Sequence, residues 1–396
     1  MNPLSGCRVL DLTGNIAGPF ATMILADLGA EVIKIERLDT GDDARQMSPF
    51  FGEWSAYFLG INRNKRSLAL NLKDERGMNV IWELAPTCDV VIQNFRGGKA
   101  ETMGLSYEHF KRVREDVIYC SISAYGQLGP QKDNPGYDAL VQAQTGLLSI
   151  NGANASELAR VGVSLLDMSS GMWAAMGVVT ALLQRKATGK GQSVSTSLYE
   201  SGIMWGMYHL LYYQAMGKNP EPQGTRHTAF APYGAYETQD DKVFIGVSND
   251  RLFEKFCLAI DQWEWTRDPH FQMNAARLEH RSELESMVNE TMRAKPSAEW
   301  LQRFAAEGVP AVKVKLFSDV MEDPQLHSLN LLAHVEVDGF GHVQIPKLPL
   351  KMDMADASSL QPAPRLGEDT AEILGQLGYT AEQIAELIRC EVVSVL

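Results

Sequence analysis

The stretch RVLDLTGNIAGPFATMILADLGAEVIKIE, residues 8–36, decides the fold of this chain. It places a short apolar strand at 8–12 before a glycine-containing loop, a helix that ends near residue 28, and a second strand at 31–36. Strands that alternate with helices form parallel sheets with right-handed crossovers. The stretch therefore predicts the first unit of an α/β fold built on a parallel sheet.

The same alternation continues along the first third of the chain. Helices are predicted at 74–84 and 107–114, and strands at 89–93 and 117–122. Ligands of open parallel sheets bind beyond the carboxyl ends of the strands. We therefore expect the ligand-binding segments at residues 13–19, 36–45, 94–99 and 123–126.

A helix with a face of small residues is predicted at 169–186, and that face indicates close packing. Residues 194–217 are predicted to form further apolar helix, and KNPEPQ at 218–223 is typical of a linker. A second unit with its own strand, at 243–247, and several helices follows the linker. The chain therefore divides into a large α/β part and a smaller α+β part.

Composition bounds the partners of the protein. The 396 residues carry 36 basic and 49 acidic side chains, which gives a net charge of −13. A body this acidic repels phosphate backbones and anionic lipid, so neither nucleic acid nor a membrane is expected as a partner. An anionic ligand would need a local cluster of arginine and lysine.

The five cysteines are far apart, and they form neither a C-x-x-C pair nor a Cys/His pattern of zinc-ligand spacing. The start of the chain lacks the pattern of a secretory signal, and the longest strongly apolar helical run, 174–183, is shorter than the roughly 20 residues of a membrane span. We expect a cytoplasmic protein without a metal site.

Several familiar catalytic motifs are missing. The turn after the first strand, GNIAGP at 14–19, lacks the G-x-G-x-x-G spacing of a dinucleotide fold. The sequence TGKG at 188–191 lacks the remainder of a phosphate-binding P-loop, and neither H-E-x-x-H nor G-x-S-x-G occurs. Nicotinamide, metal and serine-hydrolase chemistry are therefore not supported.

Three segments together resemble the family III CoA-transferases, a group that includes formyl-CoA, carnitine and succinyl-CoA:dicarboxylate transferases and the α-methylacyl-CoA racemases. They are residues 12–37 with 41–45, residues 62–73 with 93–98, and residues 136–146 with 160–192. The similarity extends to GVP at 308–310 and LGEDT at 366–370. It implies an enzyme that moves CoA between carboxylic acids, with CoA thioesters as substrates and no permanently bound cofactor.

The resemblance implies a catalytic role for Asp167, which matches the nucleophilic aspartate of the family. From the residues alone, Asp167 follows a strand-like apolar run, RVGVSLLD at 160–167, and opens the next helix, which is also the position of a helix N-cap. A carboxylate can attack an acyl-CoA thioester and form covalent intermediates.

The resemblance also implies a set of CoA-contacting residues. They are Ile16, Ala17, Arg37, Leu70, Asn71, Leu72, Lys73, Asn94, Phe95, Arg96, Ser123, Ala124, Tyr125 and Gly126. Formyl-CoA transferases have glutamine at the position of Ile16, arginine at that of Thr102 and lysine at that of Ser123. Lys99 or Arg96 is expected to take over the contact with the pyrophosphate.

The resemblance leaves the racemase branch as the alternative. Racemases carry histidine in a G-H-D segment, whereas this chain has Gly136-Tyr137-Asp138. A phenol, which ordinarily titrates near pH 10, is a poor base at neutral pH. GTRHTAFAPYGAYET at 224–238 is close to the pattern of succinyl-CoA-dependent dicarboxylate transferases.

We therefore expect succinyl-CoA or another dicarboxyl-CoA as donor and a C4–C6 dicarboxylate as acceptor, with a carnitine-like or other monocarboxylate acceptor as the alternative. The expected substrate-facing residues are Arg45, Tyr137, Arg226 and His227. The resemblance further implies a Rossmann-like large domain over 1–217 that is rejoined by 326–396, a small domain over 218–325, and an interlocked homodimer.

Overall fold

The computed structural model describes residues 2–352 and 360–396. Seven of the strands in these residues form the main sheet, and the others form smaller sheets. The strands are β1 Arg8–Leu12, β2 Glu31–Glu36, β3 Phe50–Phe51, β4 Trp54–Ser55, β5 Lys65–Leu70, β6 Val90–Gln93, β7 Ile118–Ser123, β8 Gly152–Asn154, β9 Glu157–Leu158, β10 Gln192–Ser197, β11 Tyr233–Glu237, β12 Lys242–Gly246, β13 Ala311–Lys313, β14 Leu332–Val337, β15 Gly341–Pro346 and β16 Val393–Ser394. The helices are α1 Ala17–Asp27, α2 Ala56–Asn62, α3 Glu75–Leu84, α4 Lys99–Thr102, α5 Tyr107–Val113, α6 Asp138–Gln144, α7 Leu165–Thr188, α8 Leu198–Trp205, α9 Met207–Met216, α10 Asp250–Ala259, α11 Asn274–Glu279, α12 Arg281–Met292, α13 Ser297–Glu307, α14 Phe317–Met321, α15 Pro324–Ser328, α16 Thr370–Gln376 and α17 Ala381–Arg389.

The main sheet has the order β10-β7-β6-β1-β2-β5-β16, and every neighbouring pair is parallel except β5 with β16. Val9, Leu10, Ile33 and Val91 are completely buried in its centre, as expected for parallel strands that are covered on both faces. The prediction of an α/β fold with a parallel sheet is confirmed. The sequence placed β1 and β2 at the residues where the structure has them.

The chain divides into two compact units. The first comprises residues 1–147, 161–215 and 329–396, and the second comprises 148–160 and 216–328. The predicted large domain, 1–217, included residues 148–160, but these residues form the short β8–β9 hairpin and belong to the second unit. The second unit also has a three-stranded sheet, β11-β12-β13, with a core of its own.

Two predicted elements differ from the structure. Residues 192–197 form the edge strand β10, although we predicted helix from residue 194. An edge strand has a neighbour on one side only, so its polar sequence QSVSTS lacks the apolar run that marks a central strand. Helix α7 begins at Leu165 rather than at residue 169, so Asp167 lies inside its first turn and not at the N-cap.

Helix α7 is the one described helix that is long and apolar enough to cross a membrane by length and composition. The core helix of a soluble protein passes the same test, and α7 packs closely against α1 through its buried small residues. The closest approach is at Gly171, where an added Cβ would lie 2.7 Å from the carbonyl oxygen of Ala17. Glycine is therefore required at this crossing of the two helices.

We expect Gly171→Ala to destabilise the protein by about 1–3 kcal/mol, because the new methyl group would meet backbone atoms that cannot move independently. The measurement is the thermal unfolding midpoint of the purified protein. Gly60→Ala in α2 is the matched control, since an added Cβ there meets nothing within 4 Å. Replacing that helical glycine should raise stability by about 0.5–1 kcal/mol. Equal midpoints for both variants would contradict the steric account.

Candidate active site

The predicted CoA-contacting segments lie at one edge of the main sheet. Arg37 directly follows β2, and residues 94–96 directly follow β6. Residues 70–73 comprise the last residue of β5 and the loop after it, and residues 123–126 comprise the last residue of β7 and the loop after it. Because β1, β2, β5, β6 and β7 are parallel, all of these positions are at their carboxyl ends. Ile16 and Ala17 join the set, since they form the junction between the loop after β1 and α1.

Three cations at this edge have no counter-ion. Lys73, Arg96 and Lys99 are exposed, and no ion pair involves them within residues 2–352 and 360–396. Arg37 differs, because its guanidinium pairs with Asp43 and donates a 3.0 Å hydrogen bond to the carbonyl of Gly41. The three unpaired side chains are therefore free to meet the phosphates of a nucleotide in a protein whose net charge is −13.

Asp167 is the third residue of α7 and is partly buried. Gly171 lies one helical turn further along, so both residues share the face of α7 that crosses α1. An added Cβ at Gly171 would lie 2.7 Å from the carbonyl oxygen of Ala17, so the turn of α7 that follows Asp167 crosses the start of α1. Ile16, the N-cap of α1, has no side chain that accepts the first N–H groups of that helix.

A second carboxylate, Asp138, organises the first turn of α7. Its Oδ2 accepts hydrogen bonds from the backbone N–H of Leu166 at 2.6 Å and from that of Asp167 at 3.2 Å. Its Oδ1 accepts from the side-chain NH₂ of Gln142, and the side-chain Oε1 of Gln142 accepts from the backbone N–H of Val161 at 2.9 Å. Asp138, in α6, therefore caps the N-terminus of α7, a function that the residue before a helix usually has.

The role of Asp138 was missed by sequence analysis, which used Gly136-Tyr137-Asp138 only to separate two reaction types. The pattern that could have indicated it is an aspartate followed four residues later by glutamine, which puts both side chains on one face of α6. Nothing in that pattern identifies α7, 28 residues further along the chain, as the partner.

Burial raises the pKa of the Asp167 carboxyl to about 7, and the negative charge of Asp138 adds to the increase. No hydrogen bond to the Asp167 side chain offsets these effects within the described part of the chain. A carboxylate that is poorly solvated and lacks donors is more reactive as a nucleophile or base than one at the surface. The geometry thus supports the predicted importance of Asp167 on physical grounds.

The predicted substrate-facing residues occupy different environments. Arg45 forms two 2.7 Å hydrogen bonds to Glu36 and lies over the ring of Phe58, so its guanidinium already stabilises the fold. Tyr137 is 66% exposed and lies next to Asp138, so its phenol is accessible to a ligand.

Arg226 and His227 belong to the second unit. Arg226 pairs with Glu285 at 3.3 Å, beside a cavity of about 240 Å³ that residues 223–226 and 234–236 help to line. His227 stacks on Phe230 with ring centroids 4.9 Å apart, and its Nδ1 accepts a hydrogen bond from the N–H of Ala229 at 3.0 Å.

One group of potential metal ligands occurs in the described residues: His270, His280 and Glu283, in the second unit. The two imidazole rings are stacked, with centroids 3.8 Å apart and planes within 4° of parallel. Lone pairs in two parallel planes do not converge on one point, so this arrangement does not fit a single metal ion.

Known proteins of one family resemble this chain over most of its length. Residues 4–370 match the family model described as CoA-transferase family III. The chain is 36% identical to succinyl-CoA:glutarate CoA-transferase of Homo sapiens, over 99% of this chain and 90% of that protein. It is 35% identical to acetyl-CoA:oxalate CoA-transferase of Acetobacter aceti, over 94% and 95%. A crystal structure of a CAIB/BAIF family protein from Brucella suis has a TM-score of 0.87 at 32% identity, covering 95% of this chain and all of that one.

We expect Asp167→Asn to stabilise the free protein at pH 8 and to have little effect near pH 4. A carboxyl whose pKa is raised on folding binds more protons in the folded state, so it lowers stability as the pH rises from about 4 to about 7. The amide of the Asp167→Asn variant does not ionise, so its stability does not fall in this way as the pH rises. The measurement is the unfolding midpoint of both proteins across that pH range, with Asp39→Asn as the control at an exposed aspartate. A pH-independent difference would contradict the raised pKa.

Proposed function

Because this chain belongs to the family III CoA-transferases, we propose that it transfers CoA from succinyl-CoA to a dicarboxylate of four to six carbons through a thioester on Asp167. The poorly solvated carboxyl of Asp167, one turn before the crossing of α7 with α1, carries this proposal. Glutarate is the first acceptor to test, since the human relative is named for succinyl-CoA and glutarate. Mesaconate, itaconate, malate and citramalate share its two carboxylates.

The proposed reaction begins with attack by a carboxylate oxygen of Asp167 on the thioester carbonyl of the donor. The carbon–sulfur bond breaks, which gives a mixed anhydride and CoA thiolate. The thiolate then attacks the aspartyl carbonyl of the anhydride. This second step forms the aspartyl-CoA thioester and releases the donor acid as its carboxylate.

The acceptor carboxylate completes the cycle by attacking the aspartyl thioester, which gives a second mixed anhydride and thiolate. Attack of the thiolate on the acceptor carbonyl forms the new acyl-CoA and returns the Asp167 carboxylate. Each anhydride would be destroyed by water, so the reaction needs a site that excludes it. The uncapped N–H groups at the start of α1 are the proposed donors to the oxyanion that each attack creates.

The proposed binding of CoA uses the sheet edge described above. Lys73, Arg96 and Lys99 supply positive charge for the phosphates. Phe95 is partly buried against the main core, which lets it support the loop after β6 while its exposed part contacts the ligand. Arg37, already paired with Asp43, would have to exchange that partner to reach a phosphate.

The decisive experiment is a mass-spectrometric transfer assay with succinyl-CoA and a panel of glutarate, mesaconate, itaconate, malate, citramalate, oxalate and carnitine. We expect new dicarboxyl-CoA masses with the wild-type enzyme, and a loss of about three orders of magnitude or more with Asp167→Asn. Glu115→Gln, at an exposed acid outside the predicted ligand-binding segments, should retain full activity. Protein given donor alone should gain the mass of CoA at Asp167.

Two results would contradict the proposal. Transfer to carnitine without transfer to any dicarboxylate would redirect it to the monocarboxylate branch. Deuterium gained from heavy water at the α-carbon of a 2-methylacyl-CoA, without exchange of acids, would replace transfer by racemisation.

We also propose that two copies of the chain form a homodimer and that the protein works in the cytoplasm. Helix α7 exposes Met172, Trp173 and Met176, and α8 with α9 exposes a run of large apolar side chains: Met204, Trp205, Met207, Tyr208, Leu210, Leu211, Tyr212 and Tyr213. Apolar surface of this extent on neighbouring helices is typical of an obligate interface. The cytoplasmic proposal is supported by five free cysteines.

Light scattering at micromolar concentration should therefore give twice the 43.8 kDa of one chain. A charge at the centre of the apolar surface, as in Leu211→Glu, should lower the recovered dimer because it desolvates a carboxylate at the contact. Met273→Glu, at an exposed methionine of the second unit, is the matched control. A monomeric wild type with full activity would contradict the dimer.

A further inference from the structure

The loop that joins β1 to α1 is held by side chains from three other segments. The N–H of Gly14 donates to the Asn94 side-chain oxygen at 3.0 Å, and the Gly14 carbonyl accepts from the Asn94 amide at 2.7 Å. The Thr13 carbonyl accepts from Lys34 at 2.9 Å. The N–H of Asn15 donates to Oδ1 of Asp42 at 2.9 Å. Every residue from Thr13 to Asn15 is therefore fixed from outside the loop.

The contact at Asn15 sets the direction in which the chain enters α1. Asn15 has a φ of 65°, in the left-handed region that side chains other than glycine rarely adopt. Such a conformation persists where neighbouring groups hold it. The hydrogen bond from Asn15 to Asp42 is the contact that holds the backbone at this residue.

Asp42 is itself rigidly placed. Its Oδ2 lies 2.7 Å from the ammonium of Lys34, and both side chains are at most 1% exposed. Its backbone N–H donates to Glu36 at 3.0 Å. Lys34 and Glu36 are two residues apart on β2, so they face the same side of the sheet and hold Asp42 from its two ends.

The loop leads directly to the proposed catalytic residue. Ile16 and Ala17 follow Asn15, the Ala17 carbonyl contacts α7 at Gly171, and Asp167 lies one turn earlier on the same face. A change of backbone direction at Asn15 would therefore move the start of α1 relative to the Asp167 carboxylate. A misplacement of about 1 Å can slow a reaction by about 100-fold.

We propose that Asp42, paired with Lys34, is a positioning residue of the transfer reaction that holds the Asn15 turn and thereby the start of α1 beside Asp167. This inference rests on the proposed role of Asp167 in CoA transfer. Asp42 contacts no reacting atom in it. Its contribution is to the rate of the chemical steps and not to the binding of CoA.

The test uses two substitutions of Asp42 in the full-length enzyme. In Asp42→Asn, the new amide has one oxygen that accepts and one NH₂ group that donates. In either orientation the NH₂ group faces the Lys34 ammonium or the backbone N–H of Asn15, so two donors meet. Asp42→Glu keeps the charge for Lys34 and shifts the carboxylate away from Asn15. It remains informative where the amide variant folds poorly.

Asp27→Asn is the matched control. Asp27 pairs with Arg63 at 2.6 Å, with both side chains at most 5% exposed, at the opposite end of the same helix α1. Its substitution breaks a buried ion pair of the same kind without touching the loop before α1. A general loss of stability should therefore appear in both Asp27→Asn and Asp42→Asn.

We expect both Asp42 variants to lower kcat by about tenfold to 100-fold while KM for the acyl-CoA stays within about threefold. Asp27→Asn should keep the wild-type kcat despite a comparable fall in the unfolding midpoint. Amide hydrogen exchange of the peptide that contains residues 13–18 should accelerate in the Asp42 variants only.

Wild-type kcat in both Asp42 variants, or an equal loss of kcat in Asp27→Asn, would overturn the inference. So would unchanged hydrogen exchange in residues 13–18. An enzyme that transfers CoA without ever carrying it on Asp167 would overturn the aspartyl route and, with it, the positioning role of Asp42. An inactive wild type would remove the proposed function, while hydrogen exchange would still decide whether Asp42 holds the loop.

Discussion

The close crossing of α1 and α7 at Gly171 is the constraint on which the first unit depends. A side chain at this position would meet the backbone of α1, so the two helices can approach this closely only because glycine is there. The crossing brings the first two turns of α7, from the middle of the sequence, to the start of the helix that follows the first strand. The proposed site depends on both segments, which are separated by about 150 residues along the chain.

Buried charge at the carboxyl end of β1 and β2 explains how that site is kept in order. Asp11 accepts hydrogen bonds from Thr13 and Thr22 and pairs with Lys65 at 3.2 Å, and all of these groups are buried. Burial alone raises the pKa of an acid, but Lys34 and Lys65 more than compensate and bring that of Asp11 to about 2. Buried ion pairs contribute little net stability, because desolvation offsets their attraction. Their value here is geometric, since each one fixes a loop residue.

The sequence predicted the parts of the molecule that depend on local pattern. Short apolar strands such as β1 and β2, and the loops at their ends, follow from hydrophobicity over a few residues. The edge strand β10 could not be predicted in this way. It pairs with β7 on one side only, and its polar sequence QSVSTS has no apolar run that would mark it as a strand. The predicted domain bounds put the β8–β9 hairpin in the first unit, whereas the structure has it in the second. The composition of so short a segment does not indicate which unit it packs against.

For the site residues, too, local sequence pattern and tertiary packing have to be distinguished. Asp167 and the loop segments were found through their resemblance to a family, and their common position at the sheet edge follows from parallel topology. The partners that give Asp167 its properties were not found. Asp138 reaches the first turn of α7 across 28 residues, and Asp42 reaches Asn15 across 27. Such contacts depend on how elements pack, and no spacing along the chain encodes them.

The charge distribution joins these observations into one physical account. The chain is acidic overall, yet no carboxylate of the described residues pairs with Lys73, Arg96 or Lys99 at the edge of the sheet. Arg37, Arg45 and Arg63, in contrast, are paired with carboxylates. An anionic ligand is therefore attracted to this edge and repelled elsewhere. At Asp167 the opposite arrangement holds, because burial and Asp138 keep the carboxyl from being stabilised as an anion. Positive charge is thus left unpaired at the edge where an anionic ligand would bind, and negative charge is left without a stabilising partner at Asp167. A carboxylate with solvating partners is more stable and less reactive, so the lack of hydrogen bonds to the Asp167 side chain from residues 2–352 and 360–396 suits the nucleophilic role that we propose for it.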